Sequence, residues 1–405
     1  MARTYEKTHA FLKFSVDLSD APPSLWIMLG ECQSKCEHIE RVPLRPDTAA
    51  QLYRMYLAKG VLATTAIEGN TLSEEEVMQH LQGKLKLPPS RAYLSQEIDN
   101  IVHGCNVILQ SVAESKLPPI SVDEIRQLNK TVLKDLKLYD NAAAGEIRGH
   151  SVTVGTYRGA PPEDCEYLLH KLCDWLNGEH FVPSQSFVIG YAILKAVLAH
   201  LYLAWIHPFG DGNGRTARLL EFQILITAGV PAASAHLLSN HYNLTRTEYY
   251  RRLDQASRSD DGVLSFITYA VEGLRDGLKQ QIETIWKQQW DITWRNYVHE
   301  FFRDQHSETM VRRRHLVLDL SQSKEPVSLS ALPEMSTRLA QAYARKTRRT
   351  LIRDVNAVVH AGLVVPTPDG YRANRELILA FLPQRARSGV DEDSSPDVGT
   401  LSPRR

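Results

Sequence analysis

The apolar residues of this chain recur mostly at helical spacing, with two local changes of period. Leu52, Met55, Tyr56 and Leu62 predict a helix over 47–62 that continues through 63–67 and stops at Gly69-Asn70. Ser73 followed by Glu76 marks the capped start of a second helix, and Pro88-Pro89 ends that region. An amphipathic helix is predicted over 91–113, and another begins at Ser121 with Glu124 three residues on. Leu168, Leu169, Leu172, Trp175 and Leu176 predict the next, 187–206 is almost wholly apolar, and helices continue over 215–228 and on to about residue 303. The first forty residues are weakly patterned and broken at Pro22-Pro23.

The first change of period comes at 150–157. There Val152 and Val154 alternate with Ser151 and Thr153 before Gly155, which predicts a short hairpin. The second follows residue 305, where helix, turn and helix lead to Gly362-Leu363-Val364-Val365-Pro366 and Asp369-Gly370-Tyr371, two strands about an Asp-Gly turn. The fold class expected is mainly α, with one hairpin in a helical core and a C-terminal winged helix-turn-helix over 306–384. Residues 1–95 form an N-terminal helical region, 96–285 the core and 286–305 a connecting helix. The Ser-, Pro-, Gly- and Asp-rich tail 385–405 is expected to be disordered.

Composition adds constraints. With 43% hydrophobic residues the chain can bury a sizeable core, and 47 Lys/Arg against 47 Asp/Glu leave no global pull toward nucleic acid or membrane. Five scattered cysteines make no disulfide framework, and Cys32, Cys36 and His38 lack a second pair to complete a zinc site. A reducing, cytoplasmic setting is expected. The stretch 187–206 approaches the ~20 residues of a membrane span. Lys195 and His200 interrupt it, so it reads as a buried core helix and no membrane partner is expected.

The chemistry lies just beyond that helix, in His207-Pro208-Phe209-Gly210-Asp211-Gly212-Asn213-Gly214-Arg215. Gly210, Gly212 and Gly214 free the backbone to aim several N–H groups at one point, and the segment opens a helix; together these make an anion site. Arg215 and Arg218 share a helix face and suit a polyphosphate. Asp211 among phosphate-binding donors is repulsive unless a hard cation, Mg2+, bridges it to the phosphates. His207 titrates near neutrality and suits a general base toward an incoming hydroxyl. Phe209 anchors the loop. The pattern is neither GxGxxG nor GxxxxGK[ST].

These residues closely resemble the Fic family, whose motif is HPFx[D/E]GN[G/K]R; every defined position matches, and Arg218 is the family's second arginine. The resemblance extends over about 60–280. It implies a Fic-type helical core that transfers AMP from ATP to a Tyr, Thr or Ser hydroxyl of a target protein. His207 would be the base and Asp211 the Mg2+ ligand. Gly210, Gly212, Asn213, Gly214 and Arg215 would bind ATP, and Arg218 its γ-phosphate. Tyr249 and Tyr250 would line the adenine pocket, although Ser257 stands where some relatives carry Asn. Val152, Thr153, Val154 and Gly155 resemble the family's target-docking flap, whose alternating residues suit strand addition. Thr64, Glu68 and Gly69 match the inhibitory motif [S/T]xxxE[G/N] in the subgroup that carries it N-terminally, and Glu68 would pair with Arg218 and misaim the nucleotide.

The resemblance also admits another donor, such as CDP-choline, or hydrolytic removal of AMP. A reading of another class is a DNA-binding regulator with a nucleotide-sensing core. Residues 310–360 hold ten Lys/Arg against four Asp/Glu, and a helix over 347–359 carries Arg348, Arg349 and Arg353, placed to meet phosphates or base edges. DNA and a second copy of the chain are the further partners considered.

Overall fold

The computed structural model describes residues 3–138, 141–154, 157–182 and 186–379. Gly155 and the tail 385–405 lie outside them. The described chain is mostly helix and divides into two compact units, Met1–Ile285 and Trp286–Arg405.

In the first unit the helices are α1 (Thr4–Thr8), α2 (Pro23–Arg41), α3 (Pro46–Ala66), α4 (Glu74–Leu81), α5 (Ala92–Ala113), α6 (Val122–Val132), α7 (Cys165–Leu176), α8 (Val188–Ile206), α9 (Asn213–Thr227), α10 (Ala232–Ala235), α11 (Leu237–Leu244), α12 (Arg246–Ala256) and the first part of α13 (Asp260–Phe301). Helix α8 is apolar on nearly all sides because it is buried on nearly all sides. It packs against α9, α7 and α2, and α9 in turn meets α5, α6 and α3. Although α8 is long and apolar enough to cross a bilayer, 83% of its most apolar window is buried inside the unit. Each fully buried Leu, Ile or Phe in this core contributes about 1.5–3 kcal/mol.

Local rules explain most of the helix ends. Ser73 Oγ accepts from the Glu76 N–H at 3.2 Å while the Glu76 carboxylate accepts from the Ser73 N–H at 2.8 Å. Ser121 caps α6 by accepting from the Glu124 N–H, but the Glu124 carboxylate takes Gln223 Nε2 at 2.5 Å. The first forty residues contain a helix that their weak pattern did not suggest. In α2, Leu25, Met28, Leu29, Cys32 and Cys36 are buried at i, i+3, i+4, i+7 and i+11, with thiols filling places usually held by aliphatic side chains. The Pro22-Pro23 break is the helix start, since proline at the first turn loses no intrahelical bond.

The first unit's hairpin has strands β1 (Thr153–Val154) and β2 (Tyr157–Arg158), pairing Thr153 with Arg158 and Val154 with Tyr157. Val152 precedes the strand, and its carbonyl accepts from the Gly159 N–H at 3.1 Å.

The second unit begins with the end of α13, followed by α14 (Glu308–Leu320), α15 (Thr337–Tyr343), α16 (Arg348–His360) and the antiparallel strands β3 (Val364–Thr367) and β4 (Gly370–Ala373). Its core joins Trp294, Leu316, Leu339, Leu351, Val355 and Val364. Buried Asp354 accepts from Arg312 Nε at 2.7 Å, Arg313 Nε at 2.9 Å and the Tyr343 hydroxyl at 3.2 Å, which binds α14, α15 and α16 together.

Candidate active site

The site is the loop between α8 and α9. Helix α8 cannot continue past His207, because Pro208 disfavours the helical conformation of the residue before it. His207 instead takes the left-handed conformation, φ 49° and ψ 57°. Gly212, φ 76°, opens α9, and a Cβ there would come within 3.0 Å of Asn129 and Leu133. Between these two special positions Phe209 is fully buried and bridges to Ile147.

Asn213, expected among the nucleotide ligands, turns inward. Its Oδ1 accepts from the Phe209 N–H at 2.9 Å and its Nδ2 donates to the Phe209 carbonyl at 2.8 Å, so the amide closes the loop on itself. It is 3% exposed, with both its Oδ1 and its Nδ2 bonded to the Phe209 backbone. Asn129 braces the loop from α6: its Nδ2 donates to the Asp211 carbonyl at 3.0 Å, and its Oδ1 accepts from the Gly145 N–H at 2.8 Å.

His207 Nδ1 lies 3.3 Å from the Ala204 carbonyl, a contact that requires the proton on Nδ1 and leaves the lone pair on Nε2. Burial pulls the imidazole pKa down to about 4, the Ala204 hydrogen bond opposes this, and the Arg148 cation reinforces it. The ring is therefore neutral at pH 7 and able to receive a proton.

Both motif arginines are engaged. Arg215 Nη1 meets Glu97 at 2.7 Å and its Nη2 meets Asp211 Oδ1 at 3.1 Å; the same Asp211 oxygen accepts from the Gly212 N–H at 2.5 Å. Arg218 Nη2 donates to Glu68 Oε1 at 2.6 Å and to the Thr64 carbonyl at 2.9 Å. Its Nε and Nη1 are buried with no hydrogen-bond partner among the described residues. Glu68 lies directly over the first turn of α9, since a Cβ added to Gly214 would fall 2.1 Å from Glu68 Oε1. Burial alone would raise the Glu68 pKa, but the charge and hydrogen bond of Arg218 outweigh it and hold the carboxyl below its usual range. A carboxylate thus occupies the anion position that the helix N-terminus and the guanidinium create.

Glu68 sits on a turn just past α3. Gly69, φ 104°, provides its left-handed step, and Asn70 Nδ2 ties the turn to the Leu94 carbonyl at 2.9 Å and to Glu97 Oε2 at 2.8 Å. Glu97 therefore holds both Arg215 and the Glu68 turn. The two tyrosines expected at the nucleotide base have different surroundings. Tyr249 is 3% exposed, stacks on Tyr242 and has its hydroxyl 2.8 Å from His200 Nε2, which makes it a core residue. Tyr250 is the accessible one, 41% exposed, with its hydroxyl 3.4 Å from the Ile67 carbonyl beside Glu68.

Three residues of the site escaped the sequence reading: Glu97, Asn129 and Arg148. Arg148 Nε donates to the His207 carbonyl at 2.7 Å, yet nothing in its local sequence distinguishes it from a loop arginine. Glu97 and Asn129 stand at ordinary helical positions.

Residues 119–225 match the Fic/DOC family model. The chain is 31% identical over 222 residues to protein adenylyltransferase fic-1 of Caenorhabditis elegans, covering 55% of this chain and 40% of that protein. It is 28% identical over 233 residues to protein adenylyltransferase Fic of Nematostella vectensis, covering 58% and 51%. It thus spans about half the length, or less, of these curated relatives. Among solved structures, a Fic family protein from Desulfovibrio desulfuricans G20 superposes with TM-score 0.52 at 20% identity over 87% of this chain and 96% of that one, a likeness of fold. Fic-1 (aa134–508) from C. elegans gives TM-score 0.52 at 25% identity over 65% and 73%.

Proposed function

Because residues 119–225 match the Fic/DOC family model, we propose that the chain transfers AMP from ATP to a hydroxyl of a protein, itself included, and that Glu68 restrains the reaction. The observation that carries this reading is the Glu68 carboxylate resting on Arg218 over the N-terminus of α9, with a neutral imidazole in the same loop. An anion already occupies the place where a phosphate would bind.

In the reaction, an acceptor hydroxyl oxygen forms a bond to the α-phosphorus of ATP as the α–β phosphoanhydride bond breaks. His207 Nε2 takes the hydroxyl proton and pyrophosphate leaves. The α9 amides and Arg218, once released by Glu68, stabilise the phosphate charge; such electrostatic aid is often the largest catalytic contribution. Asp211 is a single carboxylate with a side chain 30% exposed, and no group of three or more candidate metal ligands occurs among the described residues. That donor set fits Mg2+, which commonly binds one or two carboxylates and completes its shell with water and substrate phosphates. Asp211 would hold it, and the ion would neutralise phosphate charge. Tyr250 flanks the base, and the edge of β1 receives an extended target segment.

Incubation of the Glu68→Gly protein with α-labelled ATP tests the proposal. Label on the protein is expected, with none in the Glu68→Gly/His207→Ala double variant despite retained ATP binding. Equal labelling of the two proteins rejects His207 as base. Intact mass distinguishes AMP from another transferred group, and release of AMP from a pre-labelled target by the native chain identifies the reverse reaction.

A second reading, for the C-terminal unit, is that it is a winged helix binding duplex DNA. Arg345, Lys346, Arg348, Arg349 and Arg353 are all exposed, and no acidic partner meets them among the described residues. Binding of random duplex is expected to weaken steeply with salt, with log–log slope about −0.9 per phosphate contacted. Salt-independent or absent binding removes this reading.

A further inference from the structure

We propose that Arg148 is the positioning residue that fixes His207 in its left-handed conformation and makes the general base and the hairpin one mechanical unit. The proposal rests on the reading of His207 as base. Arg148 is 4% exposed, and its guanidinium meets only backbone carbonyls. Nε donates to His207 O at 2.7 Å, Nη1 to His150 O at 2.5 Å, and Nη2 to Ala160 O at 2.6 Å and Ile206 O at 3.4 Å. Its own N–H donates to Pro208 O at 2.9 Å. No carboxylate pairs with it among the described residues. An unpaired cation is costly to bury, and burial pulls the Arg148 pKa down. What offsets that cost is the set of acceptors.

Those acceptors come from two places. Ile206, His207 and Pro208 are the end of α8 and the start of the motif loop; His150 and Ala160 flank the hairpin. The last carbonyls of a helix lack intrahelical donors and carry the negative end of its dipole, so a cation there is favoured twice. Tyr157, on β2, donates its hydroxyl to the Trp205 carbonyl and takes the preceding position in the same series. Gly159 confirms how closely the parts fit: a Cβ there would lie 3.0 Å from Arg148 Nη2 and 3.1 Å from His207 Cβ. The left-handed backbone of a non-glycine residue persists only where its surroundings impose it, and at His207 they do so through its own carbonyl. A planar fork reaches carbonyls on two sides at once; the single ammonium of lysine cannot.

The test compares Arg148→Lys and Arg148→Ala, each in the Glu68→Gly protein. Expected are a kcat for AMP transfer lower by about 10²-fold, as for an Å-scale misplacement of a reacting group, ATP affinity within about twofold of the parent, and loss of the left-handed 13Cα and 13Cβ shifts of His207. Lysine should recover only part of kcat. Three results overturn the proposal: kcat within about twofold of the parent, ATP affinity falling as far as kcat, or left-handed His207 shifts persisting in both variants. If the alanine variant does not fold, the lysine variant decides. If the Glu68→Gly parent transfers no AMP, the function reading fails by itself, while the His207 shifts still decide whether Arg148 imposes the conformation.

Discussion

Replacing Glu68 with glycine should weaken the empty protein and make it more responsive to ATP. The perturbation is confined: Glu68 lies beyond the end of α3, next to Gly69, and its N–H bond to the Thr65 carbonyl survives the change. What is lost is the 2.6 Å bond to Arg218, whose side chain is 1% exposed and keeps only the Thr64 carbonyl. A hydrogen bond between charged groups contributes about 1.5–3 kcal/mol. The Glu68 side chain is 31% exposed, so solvent screening reduces this to roughly 1–2 kcal/mol. For a unit of this size each kcal/mol moves the melting temperature by about 2–4 °C, so the variant should melt about 2–8 °C lower. ATP then supplies the anion that Arg218 lacks. At a hundredfold excess over Kd it returns about 2.7 kcal/mol, or about 5–11 °C. In the native chain ATP must first displace Glu68, and its shift should be clearly smaller. Differential scanning fluorimetry with and without ATP measures all four states. An unchanged melting point in the variant, together with equal ATP shifts in both proteins, would refute the idea that Glu68 occupies a phosphate position.

Two further outcomes follow from the same geometry. Transfer by the Glu68→Gly protein should be lost on the acid side only near about pH 4, since the base works while neutral and burial holds His207 there. Removing the Glu68 anion, which raises that pKa, moves the limb lower still; a limb near the ordinary imidazole value of about 6.5 in the kcat/KM profile would contradict the buried environment. Asn213→Ala should destabilise the protein by about 1–3 kcal/mol, by leaving the Phe209 N–H and carbonyl without partners, and should weaken ATP binding through the loop alone; calorimetry showing full stability with lost ATP affinity would return Asn213 to direct contact with substrate.

The run from His207 to Arg218 was legible because glycines, an imidazole, a carboxylate and two guanidinium groups crowd into twelve successive residues, and the helical periods around it could be read directly. The roles within the run were less so. Asn213 and Arg215 read as ligands because their chemistry suits phosphate. Whether a polar group on α9 faces the nucleotide or the loop depends on a helix buried on nearly every side, and local pattern does not encode that. Tyr249 and Tyr250 are neighbours in sequence, yet one is core and the other exposed for the same reason. The Arg148 guanidinium finds its acceptors as far as 59 residues away, and Glu97 meets Arg215 across 118. Helix α2 was obscured by the cysteines in its apolar stripe and by a proline pair that initiates rather than interrupts.

Helix α9 is enclosed by α3, α5, α6 and α8, and its loop is locked by Asn213, Asn129 and Arg148. A cradle so constrained cannot be tuned by deforming it without unsettling the core. On the proposed reading, control would therefore fall to the least enclosed part, the exposed two-residue crest Glu68-Gly69. Whatever lifts that crest need supply only enough energy to swap one anion for another. On that reading, activity would be governed as a lock is by its bolt, with the frame left untouched.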